Sequence, residues 1–121
     1  MLDEMILLQL PDVLIVTDIQ GKIIRWNEAA TAFLGYSECD AKGHDLNLII
    51  PPNLREAHWR GFHMAVTSGA MSHERAPVLT GMLHQEGQRV FAHLSFGLIK
   101  DKHDVVCAVV AVARPEQPRL T

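Results

Sequence analysis

The run VLIVTDIQGKIIRWNEAATAFLGYS, residues 13 to 37, constrains this chain most, because it encodes a strand, a tight turn, a second strand and a short helix in direct succession. Val13 to Thr17 and Lys22 to Trp26 are rich in β-branched and aromatic residues, and the four residues between them end in Gly21, which a hairpin turn can use at positive φ. Asn27 then stands where a helix cap belongs, and Gly35 closes the helix behind it.

The rest of the map follows from punctuation. Met1 to Gln9 reads as a short amphipathic helix ended by Pro11. A polar bridge, SECDAKGHD, leads to the apolar turn LNLII, which Pro51 and Pro52 stop. Asn53 is expected to cap a helix running to Ser68, with Glu56 completing a capping-box-like pair. Three longer strands are expected at about 73–83, 89–99 and 104–113, separated by the turns HQEG and KDKHD.

Hairpin, WNxAA, LGYS, helices and three strands resemble the PAS family of sensory domains over nearly the whole chain. The resemblance implies an α+β fold: a five-stranded antiparallel sheet with short helices on one face and an N-terminal flanking helix. It divides the chain into a leading helix at 1–10, a PAS domain at 11–114 and a tail at 115–121. It also implies sensing and relay in place of catalysis, and the absence of GxGxxG, P-loop, GxSxG and HExxH patterns agrees.

Composition excludes several partners. A formal charge of −3 with dispersed Lys and Arg leaves no electrostatic footprint for nucleic acid. The longest apolar run, Val105 to Ala113, is too short to span a bilayer. Cys39 and Cys107 have no CxxC pattern, and reduced thiols in a cytoplasm are the expected state. No leader is expected, since MLDEMILLQL carries acids in place of a basic segment.

The helix NLREAHWRGFHMAVTS carries the sharpest functional expectation. At helical spacing Leu54, His58, Gly61, Phe62 and Ala65 share one face, so an imidazole lies on an apolar stripe with a missing side chain one turn on. His63, five residues from His58, is rotated away and makes no chelating pair with it. In VFAHLSFGL, alternation puts Ala92, Leu94 and Phe96 on one face and Phe91, His93 and Ser95 on the other.

IIPPNLREAH further resembles the haem-binding PAS gas sensors, and that likeness implies haem iron held by His58 against a wall including Leu94 and Phe96. In those sensors an Arg on the preceding strand holds bound oxygen; counting back from Gly87, its position is Val78 here. Met82, Met71 and His73 are then candidates for a sixth ligand, which suits a redox or carbon monoxide sensor better than an oxygen sensor. The alternative for His58 is a core histidine making one hydrogen bond, and for the methionines it is core filler.

Two functions remain open at this level. One is a ligand-binding sensor, haem first among the ligands, that relays through dimer contacts to a kinase or transcription-regulating output outside the chain. The other is a ligand-free interaction module. Both are expected to homodimerise, because DVVCAVVAVA is apolar on both faces and the stripe Leu2, Met5, Ile6 and Gln9 has no obvious partner.

Overall fold

The computed structural model describes residues 2–70 and 77–116. Its elements are α1 (Leu2–Gln9), β1 (Val13–Thr17), β2 (Ile23–Trp26), α2 (Glu28–Leu34), α3 (Glu38–Ala41), α4 (Arg55–Ser68), β3 (Val78–Leu83), β4 (Arg89–Lys100) and β5 (Val106–Pro115). The five strands form one antiparallel sheet in the order β2-β1-β5-β4-β3, so the chain's first and last strands meet at the centre.

The opening hairpin turns as its residues require. Asp18 Oδ1 accepts from the backbone N–H groups of Gln20 and Lys22, each at 2.9 Å, and Gly21 takes φ +87°. Asn27 caps α2 with its side chain: Oδ1 accepts from Ala30 N at 3.0 Å. The same oxygen accepts from Leu14 N at 3.0 Å, and Nδ2 donates to the Asp12 carbonyl at 2.8 Å, so one buried amide ties α2 to β1. Val13, Ile15, Ile23, Trp26, Ala30 and Leu34 pack around it as part of the core.

Three expectations are corrected by the fold. Asn53 does not cap the long helix: Pro52–Leu54 form a 3-10 turn, α4 begins at Arg55, and the Asn53 side chain accepts a hydrogen bond from Arg89. Two successive prolines favour that tighter turn, since neither offers an N–H for a cap to satisfy. Within the polar bridge, Ser37 caps the short helix α3 through a bond from Asp40 N. The last strand runs from Val106 to Pro115, two residues later at each end than the expected 104–113. The strand expected from 73 starts at Val78 in the described part, while Met71 and His73 lie outside the described residues.

Candidate functional site

α4 is held across the sheet by contacts at its first turns. The Arg55 guanidinium donates to the carbonyls of Ile50 (3.0 Å) and Asn47 (3.1 Å), and the Trp59 indole N–H donates to Asn47 Oδ1 at 2.7 Å. This orientation turns Phe62 and Ala65 into the core and sets Ala57, Gly61 and Ala65, one small residue per turn, along one side. Facing them is the inward stripe of β4, where alternation places Leu94, Phe96 and Leu98 on one surface.

Between helix and sheet lies a cavity of about 290 Å³. Seven of the expected site residues line it: His58, Gly61, Phe62 and Ala65 from α4, Val78 from β3, and Leu94 and Phe96 from β4. Met82 does not line it; it is buried in the core, pairing with Val90 across β3 and β4, and this removes it from the expected ligand set. Leu54 is likewise absent from the lining, being part of the 3-10 turn. His63 is exposed and stacks on Trp59 at 5.9 Å between ring centroids, away from the cavity.

Other lining residues were not singled out from the sequence. Leu98 extends the Leu94 and Phe96 alternation by one step, and Val109 and Ala111 supply the facing stripe of β5. Thr17 and Thr80 bring two hydroxyls, whose signal was a Thr at an inward position of β1 and of β3. Apart from these and His58, every lining side chain among the described residues is apolar, and none of them carries a formal charge.

His58 is the chemical anomaly of the site. Its Nδ1 is buried and has no hydrogen-bond partner among the described residues, although buried polar atoms are almost always paired. Burial pushes its pKa below the ordinary histidine value of 6.5, and the neighbouring His63 imidazole pushes the same way. The ring is thus held neutral at neutral pH, offering one donor and one acceptor.

Haem makes several demands on such a site. A neutral imidazole on an apolar wall meets the first. The cavity lies at the low end of the roughly 300–1,000 Å³ in which small ligands are held, and haem is a large ligand. Among the described residues no Arg or Lys lines it to meet the two carboxylates of haem, and none gives Nδ1 the acceptor that a metal-bound histidine ordinarily keeps on its second nitrogen. The described residues therefore do not fit this group well. Among them there is also no cluster of His, Cys, Asp and Glu able to hold a metal ion.

A family model described as the PAS fold matches residues 2–115, and the chain belongs to that family. Among solved structures, a PAS domain from Colwellia psychrerythraea is similar with TM-score 0.79 at 22% identity, covering 95% of this chain and 94% of the other. The PAS domain of the RpfR quorum-sensing receptor of Cronobacter turicensis, in complex with C12:0, matches with TM-score 0.72 at 16% identity over 90% and 97%. A LOV protein of Rhodobacter sphaeroides matches with TM-score 0.74 at 10% identity over 93% and 63%. At these identities the likeness is one of fold. No curated protein matches. PAS domains are typically sensory and not catalytic. No described helix is long and apolar enough to cross a membrane.

Proposed function

We propose that this PAS domain is a cytoplasmic sensor whose input is a small molecule bound in the His58 cavity. Its signal then passes through dimer contacts to a kinase or transcription-regulating output. The observation that carries this is Gly61. A glycine inside a helix destabilises it by about 0.5–1 kcal/mol relative to Ala. Here the local structure does not require one, because a Cβ built at Gly61 meets nothing within 4 Å. The missing side chain leaves room at the cavity wall beside an imidazole with an unpaired nitrogen. Keeping space at the expense of helix stability supports a ligand. The C12:0 complex of the RpfR PAS domain supports the view that a fold of this kind accommodates a small molecule.

The test is a blocking variant. Gly61→Leu raises helix propensity while filling the space beside His58. Small molecules extracted with organic solvent from the purified wild type should be missing from Gly61→Leu. Equal recovery from both proteins, or none from either together with no ligand-induced rise in melting temperature across a haem and small-molecule panel, contradicts the sensor reading.

One observation favours the ligand-free interaction module as a second reading. α1 buries no residue and exposes Leu2, Met5 and Ile6, while Leu79 and Phe91 are exposed on the strands. Those surfaces support dimerisation with or without a ligand, so the small-molecule extraction separates the two readings.

A further inference from the structure

We infer that the ligand of the His58 cavity is an uncharged, mainly apolar molecule, smaller than a macrocycle, that carries a single hydroxyl or carbonyl group. The inference rests on the sensor reading and deepens it. An ion moved into an apolar site is strongly unfavourable unless a counter-charge meets it. Among the described residues, none of the lining side chains is Arg, Lys, Asp or Glu, so neither a carboxylate or phosphate nor an ammonium group would find a counter-charge there. The polar groups that remain are His58, Thr17 and Thr80.

Their hydrogen-bonding capacity fixes how much polarity the ligand can bring. Thr17 already uses its hydroxyl proton on the Asp18 carbonyl, at 2.9 Å, and keeps only acceptor capacity. The Thr80 hydroxyl makes no hydrogen bond among the described residues, and it stands on the sheet wall where His58 stands on the helix wall. A neutral imidazole and one free hydroxyl suit one hydroxyl or carbonyl on the ligand. The remaining walls, among them Phe62, Leu94, Phe96 and Val109, offer only apolar contact. A volume of about 290 Å³ sets the size at the small end of ordinary ligands.

A matched pair of probes isolates the charge. 1-Decanol and decanoate share a chain and differ in the head group, which is fully ionised for decanoate at pH 8. Trp59 touches Phe62 at 5.2 Å and His58 at 4.9 Å between ring centroids, so tryptophan emission reports occupancy. Wild type should bind 1-decanol saturably and at least about tenfold more tightly than decanoate. Decanol is also the more hydrophobic probe, so a variant must separate partitioning from charge. Val78→Arg puts a cation at the mouth of the cavity, at a side chain 46% exposed, where folding tolerates it. It should tighten decanoate relative to decanol by about tenfold or more, read as the change in the ratio of the two affinities between wild type and variant.

Decanoate binding to wild type within threefold of decanol, or no gain for decanoate relative to decanol in Val78→Arg, overturns the inference and leaves the sensor reading standing. So does tight haem uptake with a Soret band that His58→Ala abolishes. If neither probe binds saturably the inference falls, and if haem is refused as well the sensor reading falls with it.

Discussion

The Trp59 ring lies over Gly21, so close that a Cβ on residue 21 would fall 2.3 Å from the indole Cη2. The turn between β1 and β2 and the helix that carries His58 are therefore in direct contact. A glycine is required here twice over, by the approach of the ring and by φ +87°. Gly21→Ala should destabilise the domain by about 1–3 kcal/mol, seen as a lowered urea midpoint. An unchanged midpoint would mean that Trp59 does not pack there.

Gly61 should behave in the opposite way. With open space where its Cβ would stand, Gly61→Ala should raise stability by about 0.5–1 kcal/mol. A stability loss of that size, measured by the same denaturant melt, would remove the reason for reading this glycine as kept for the cavity.

Asn27 should be the most sensitive polar position. Asn27→Ala removes the cap of α2 and leaves the Leu14 N–H and the Asp12 carbonyl without their partner, an expected loss of about 2–4 kcal/mol in chemical unfolding. Asn27→Asp retains the acceptor and loses only the donor to Asp12, so it should fall between. Equal behaviour of the two variants would contradict the assignment of separate roles to the two ends of the amide.

The capped hairpin and the α4 face were legible because the turn at Gly21, the cap of Asn27 on Ala30 and the helix end at Gly35 are local chemistry, and the positions of His58, Gly61, Phe62 and Ala65 follow from helical period. The bonds of Asn27 to Leu14 and Asp12 and the packing of Trp59 on Gly21 are long-range and were not legible. The site's closing wall was half legible. Alternation gave Leu94 and Phe96, but Val109, Ala111 and Thr17 reach the cavity only because β5 lies between β1 and β4, a pairing between residues about a hundred positions apart that no local signal carries. Met82 was misplaced for the same reason. Its inward direction follows from strand period, whereas core or cavity depends on how far along the sheet α4 crosses.

Acid should destabilise the fold through His58. Its folded pKa is lowered, chiefly by burial and then by His63, so below 6.5 the unfolded chain takes up a proton that the folded chain resists. Stability is therefore flat above that value for this group and falls as pH drops through it towards the folded pKa. The urea midpoint of wild type should decline between pH 7.5 and 5.5 more steeply than that of His58→Gln. Identical slopes would show that His58 is not held in a protonation-resisting environment.

Removing residues 1–10 should convert a dimer to a monomer in light scattering, because Leu2, Met5 and Ile6 are exposed at 67%, 55% and 51% and α1 has no fully buried residue in its own subunit. A full-length protein already monomeric at high micromolar concentration would contradict the proposed route of output.

The most direct test of the central claim, that a ligand sits between α4 and the sheet, is a backbone NMR titration of the full chain with 1-decanol. The predicted result is saturable shifts concentrated at Gly61, Phe62, Leu94, Phe96 and Val109, with Phe91 and His93 on the opposite face of β4 unmoved, and with the whole response lost in Gly61→Leu. Shifts centred on Phe91 and His93, or a response that survives Gly61→Leu, would contradict the account.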